Sequence, residues 1–151
     1  MLIYSIGYAT YSVDQFIDLL KTLRVTTLID TRSYPSSKIS PGFVKENLKE
    51  SLQEHGVHYM FLGHLLGGKS GIPYPNKQQT EEYRKGLEII TNLNEKVVAI
   101  MCVEPLEKNC HRYYIASDLR NLGQEVITIQ PEKKEKKDSP RITGLQEFFK
   151  N

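Results

Sequence analysis

The chain has 151 residues, 39% of them hydrophobic and 25% charged, with two cysteines and a formal net charge of +2. That length suits one domain whose core needs no metal or disulfide staple. Its longest apolar runs, such as "VVAIMCV", are strand-sized, which excludes a membrane-spanning helix.

"MLIYSIG" has no basic stretch ahead of a long apolar segment, so it reads as a first strand, over 2–6, and not as a signal peptide. Ser12 is a good N-cap for a helix whose apolar residues Val13, Phe16, Ile17, Leu20 and Leu23 recur at helical spacing. "TTLID" (26–30) is a second strand, and the proline- and serine-rich stretch 33–42 is a loop. Val44, Leu48 and Leu52 mark a second helix closed by Gly56. "HYMFL" (58–62) is a third strand, and residues 63–76, rich in glycine and proline, read as a long loop. Thr80 caps a third helix with Tyr83, Leu87 and Ile90 inward. "VVAIMC" (97–102) is the most apolar strand and is expected at the sheet centre, because a parallel strand covered on both faces reads as a continuous apolar run. A fourth helix is expected over 110–122, ending at Gly123, then a last strand over 125–129.

Strict strand–helix alternation predicts an α/β fold. The expectation is a single three-layer domain over 1–130, with a mostly parallel five-stranded sheet and helices on both faces. Residues 131–151 are expected to be a charged linker and a short amphipathic tail with Leu145, Phe148 and Phe149 on one side. That tail holds six cationic side chains against four acidic ones, the whole of the chain's excess charge. The body is therefore neutral, which disfavours a broad nucleic-acid footprint but leaves room for a small anionic ligand. With two cysteines and no export signal, a cytoplasmic location with reduced thiols is expected.

In open α/β sheets ligands bind beyond the carboxyl ends of the strands. That edge collects Tyr8, Asp30, Arg32, Cys102, Glu104 and a glycine loop that includes Gly67 and Gly68. "CVEPLEKNCHR" (102–112) follows the most apolar strand and opens the next helix. Cys110, near a helix N-terminus and beside His111 and Arg112, is placed where a thiolate is stabilised. Arg112 shares the inward stripe of its helix with Ala116 and Leu119, so it must find a carboxylate or a bound anion, with Asp30 and Glu104 as candidates.

The expected catalytic residues are Cys110, His111, Cys102, Glu104 and Asp30. Cys110 or Cys102 would be the nucleophile and His111 or Glu104 the proton carrier. Arg32, Arg112, Tyr8, Gly67 and Gly68 are the expected substrate contacts, and no metal ligand set is expected. Cys102, Cys110, His111 and His64 are N/S donors that could converge on a metal, but the seven-residue gap between the cysteines is not a zinc knuckle and no CxxC occurs. A disulfide or redox pair would require the two Cα atoms to approach within about 6 Å. No GxGxxG or GxxxxGK[ST] occurs, so the cofactor stays unknown, as does the oligomeric state.

In order, "SIGYAT", "IDTRSYPSS", "YMFLGHLLGG" and "MCVEPLEKNCHR" resemble the motifs of the domain-of-unknown-function 488 family over about residues 2–130. The resemblance implies an α/β fold and a grouping of these motifs at one site. Members often carry a histidine where this chain has Tyr8. The expected function is an enzyme of hydrolase or transferase type acting on a small anionic or phosphate-bearing substrate. The alternatives are a non-catalytic nucleotide or nucleic-acid binding module and a thiol redox or metal-sensing module.

Overall fold

The structure is a computed structural model and describes residues 1–69 and 71–131. The tail expected over 132–151 lies outside the described residues. Five strands, β1 (Leu2–Gly7), β2 (Thr27–Asp30), β3 (His58–Phe61), β4 (Val97–Cys102) and β5 (Glu125–Thr128), form one sheet in the order β3-β2-β4-β1-β5. Every pairing is parallel. β4 is central, as its unbroken apolar run predicts, and Val98, Ala99, Ile100 and Met101 are fully buried.

Among the described residues six helices cover the two faces: α1 (Val13–Thr22), α2 (Lys45–Glu54), α3 (Gly63–Leu66), α4 (Tyr74–Lys77), α5 (Glu81–Thr91) and α6 (Arg112–Asn121). The Ser12 hydroxyl accepts the Gln15 N–H at 3.1 Å while the Ser12 N–H donates to Gln15 Oε1 at 2.9 Å, a reciprocal cap that starts α1. Phe16, Leu20, Leu48 and Leu52 turn inward with Leu28 and Met101 to build the core under α1 and α2. Leu66, Tyr83, Ile90, Ile115 and Leu119 build the other core, on the opposite face with Ile29 and Ile100. Each fully buried large apolar side chain contributes on the order of 1.5–3 kcal/mol.

Two expected boundaries change. The stretch 63–76 is no plain loop, because it contains α3 and α4. Leu65 and Leu66 bury against the α5 side of the core, and Gly86 lets Leu66 pack close to α5. The helix expected from 110 starts instead at Arg112, because a 3₁₀ turn at Glu107–Asn109 leaves Cys110 extended, at φ −133° and ψ 155°. Among the described residues no helix is long and apolar enough to cross a membrane.

The winding makes a crevice at β4. The chain leaves β1 and β2 toward the face of α1 and α2, but leaves β4 toward the face of α6. β4 lies between β1 and β2, so the connections diverge on both of its sides. A gap opens beyond its carboxyl end.

Candidate active site at the end of the central strand

A cavity of about 950 Å³ fills that gap. Its floor is the turn 102–111, with Cys102, Glu104, Cys110 and His111. One wall is the loop after β2, with Ser33, Tyr34, Ser36, Ser37 and Lys38. Gly68, Lys69, Tyr74 and Tyr114 close the other side. Tyr74 stacks on Tyr114 at 5.2 Å and tilts against His111 at 5.7 Å. Its hydroxyl donates to the Leu66 carbonyl at 2.7 Å, which fixes the ring as a wall.

Arg112 is fully buried, as its place on the inner stripe predicts. Its Nη1 donates to Ser5 Oγ at 2.7 Å, its Nη2 to the Glu104 carbonyl, and its Nε to Cys102 Sγ at 3.1 Å. Of the partners weighed for it, neither Asp30 nor the Glu104 carboxylate takes this guanidinium. Burial pulls its pKa down to about 10, against the opposing pull of Glu107 and Glu104 from further away. Ser5 was missed in the sequence, although a serine inside the apolar run "LIYSI" signals a buried partner.

The backbone makes this contact possible at Gly7. A Cβ there would sit inside the Glu104 carbonyl group. The Tyr8 and Ala9 N–H groups donate to the Cys102 and Val103 carbonyls at 2.9 and 3.1 Å, tying the first turn to the end of β4.

Asp30 and Arg32 form a buried pair. Arg32 Nε and Nη2 donate to the two carboxylate oxygens at 2.9 and 2.8 Å, and the Arg32 N–H adds a third bond at 3.0 Å. The Tyr59 hydroxyl donates to the same carboxylate, and Arg32 Nη1 donates to the Phe43 carbonyl at 2.7 Å. Arg32 lines the cavity, but its charge is answered by Asp30 and its fork is taken. Burial first, and Asp30 next, push the Tyr59 hydroxyl pKa up.

Tyr8 is stacked on Phe43 at 4.0 Å in the core, below the cavity, with Arg32 over its ring. Gly67 is buried against Ser33, while Gly68 faces His111 and lines the cavity. His64 is exposed and stacks on Phe61, away from the cysteines.

Cys102 and Cys110 meet. The structure pairs their sulfur atoms as a disulfide, although the Cα atoms are 7.9 Å apart, farther than the approach of about 6 Å set out above. The Cys110 sulfur accepts the Arg112 N–H at 3.5 Å, so it sits at the α6 N-terminus despite lying outside the helix. His111 Nδ1 is 3.5 Å from the same sulfur.

The other histidine nitrogen fixes the tautomer. Nε2 lies 2.9 Å from the Thr31 carbonyl, which can only accept, so Nε2 carries the proton. The Thr31 hydroxyl, itself donating to the Met101 carbonyl at 2.9 Å, is a second acceptor at 3.1 Å. Nδ1 therefore holds a lone pair directed at the sulfurs. Burial lowers the ring's pKa to about 4, helped by Arg112 and Lys77 and opposed by Thr31. A backbone acceptor leaves no mark in a sequence, so the role of Thr31 was not legible there. Cys102 Sγ, Cys110 Sγ and a His111 ring nitrogen lie within 4.8 Å of one another, the set among the described residues that could hold a metal ion.

The chain matches the family described as "Domain of unknown function DUF488" over residues 12–119, more than half of its length. Comparison with curated proteins and with solved structures gave no match.

Proposed function

The chain belongs to the DUF488 family, and we propose that it is an enzyme of hydrolase or transferase type that attacks a small anionic substrate with the thiolate of Cys102. The observation that carries this reading is the Arg112 side chain. It is fully buried, and among the described residues its side chain donates to a hydroxyl, a carbonyl and the Cys102 sulfur. A buried cation without a counter-charge is destabilising by several kcal/mol. A thiolate at Cys102 supplies that counter-charge, and Arg112 in turn favours the thiolate.

The cavity suits an anion. Lys38, Lys69 and Lys108 line it against Glu104 alone, since Arg32 is neutralised by Asp30. Serines 33, 36 and 37 offer hydroxyl donors on the same wall. With both sulfurs reduced, Cys102 Sγ bonds to an electrophilic carbon or phosphorus and the leaving group departs with its electron pair. Water, or the hydroxyl of an acceptor, gives its proton to the free lone pair of His111 Nδ1 and displaces the sulfur. Glu104, on the floor, is the second candidate proton carrier.

The test is alkylation of the reduced native protein, each cysteine followed by mass spectrometry, with and without phosphate-bearing metabolites. The expected outcome is fast modification at Cys102 that a bound anion slows. If both sulfurs stay inert until the protein unfolds, they are packing residues and the reading is wrong.

One observation favours a second reading, a non-catalytic nucleotide-binding module. Tyr34 is 65% exposed on the cavity wall with the Lys69 ammonium 5.9 Å from its ring centre, a place where a base could stack beside a phosphate. Retained nucleotide binding in Cys102→Ser with no turnover of any bound compound would favour it.

A further inference from the structure

We infer that the reduced protein binds one soft divalent cation of the zinc class through Cys102 Sγ, Cys110 Sγ and His111 Nδ1, with the fourth position open to the cavity. Three independent features of the geometry converge on this.

The donors are of the right kind and close. Two sulfurs and an imidazole nitrogen within 4.8 Å of one another are the ligand set of a Cys₂His zinc centre. Zinc at about 2.3 Å from sulfur and about 2.05 Å from nitrogen, with tetrahedral angles, sets an S···N edge of about 3.5 Å. The Cys110 Sγ···His111 Nδ1 distance is 3.5 Å. In the reduced protein the two sulfurs take up the tetrahedral S···S edge of roughly 3.8 Å when the ion binds. Cα atoms 7.9 Å apart let them do so by side-chain rotation.

The outer shell is in place. A metal-binding histidine donates its other N–H to a carbonyl or carboxylate, which fixes the tautomer and aims the free nitrogen. His111 Nε2 does this on the Thr31 carbonyl at 2.9 Å. The Cys102 sulfur accepts Arg112 Nε at 3.1 Å and the Cys110 sulfur accepts the Arg112 N–H at 3.5 Å. Such N–H···S bonds steady a thiolate ligand, and the guanidinium charge offsets the second thiolate.

The fourth corner is open. The three ligands form the floor of the cavity and no fourth His, Cys, Asp or Glu joins them among the described residues. A closed structural site has four protein ligands, whereas three and a water mark a site that exchanges ligands. An ion here takes both sulfurs as ligands, so the metal-loaded protein is silent in the alkylation described above. The inference needs only the convergence of three donors and does not depend on Cys102 being a nucleophile.

The experiment uses the reduced full-length chain with zinc chloride alone, then cobalt chloride. After desalting, metal per chain is measured, and the cobalt form is examined for thiolate-to-metal charge-transfer absorption and tetrahedral ligand-field bands. One ion per chain with thiolate bands is expected. Cys110→Ser and His111→Ala should each weaken binding by at least roughly 10- to 100-fold, the loss typical of removing even an outer-shell partner. Circular dichroism checks that both variants fold. A chain that takes up no stoichiometric metal, or variants that bind as tightly as the parent, would overturn the inference. Neither result touches the thiolate reading, which is decided by alkylation without metal.

Discussion

Arg112 Nε lies 3.1 Å from Cys102 Sγ inside a protein core where, among the described residues, no carboxylate hydrogen-bonds this guanidinium. In metal-free protein the pair makes a sharp prediction. Arg112→Met keeps the volume and removes the charge. The apparent pKa of Cys102 alkylation should rise by about one unit or more, a tenfold smaller thiolate fraction at a fixed pH below it. Alkylation rates across pH, read residue by residue, check this. An unchanged profile would mean that Cys102 is a neutral packing thiol.

Gly7 holds the floor of the site from below. In Gly7→Ala the new methyl meets the Glu104 carbonyl, whose oxygen accepts Arg112 Nη2. The obstacle is backbone, so the turn after β4 must shift. The expected loss is about 1–3 kcal/mol, or a melting temperature lower by roughly 2–4 °C per kcal/mol at this chain length. Cys102 reactivity should fall with it. Gly56→Ala is the control for generic glycine effects: it sits at φ +75° with nothing near its Cβ position, so it should lose stability without altering the cysteines.

The Asp30–Arg32 pair should behave as structure. Asp30→Asn leaves the Arg32 guanidinium buried without its counter-charge and also removes the charged acceptor of Tyr59. The expected destabilisation is about 3–5 kcal/mol. Replacing both residues, as Asp30→Asn with Arg32→Met, should recover a good part of that loss, because an uncompensated charge is no longer buried. Denaturant titration of the single and double variants measures it. If Arg32→Met alone is nearly neutral for stability but abolishes protection of the cysteines by phosphate-bearing compounds, Arg32 binds the substrate after all.

These contrasts show what the sequence makes legible. Strand order aside, the fold was readable: the alternation of apolar runs gave a parallel sheet, and the run 97–102 gave its centre. The motifs after β2 and β4 and the glycine Gly68 were correctly drawn to one edge. Pairing was not readable. Asp30 on β2 and Ser5 on β1 both flank β4, and only the structure shows that the Arg112 guanidinium reaches the β1 side, where Ser5 accepts it. The same limit hid the cysteine contact. Cys110 comes eight positions after Cys102, and the 3₁₀ turn at 107–109 folds the second back over the first. Tyr8 and Gly67 were drawn to the right edge, but one layer too high, because loop residues next to a site can pack beneath it as readily as line it.

His111 should give the protein an acid-sensitive step. Burial, with Arg112 and Lys77, lowers its folded-state pKa from 6.5 to about 4, despite the Thr31 carbonyl. Between those values the unfolded chain binds a proton that the native chain refuses, so stability rises with pH across the interval. The contribution is complete above about pH 6.5 and is lost as pH falls toward 4. A shift of that size corresponds to about 3 kcal/mol. Urea unfolding of metal-free protein at pH 7 and pH 4 should therefore show a larger loss for the parent than for His111→Gln, which has no proton to gain. The carboxylates common to both proteins cancel in the difference. Equal losses would place the ring in water in the native state, and with it the lone pair that both the proton-transfer role and the metal site require.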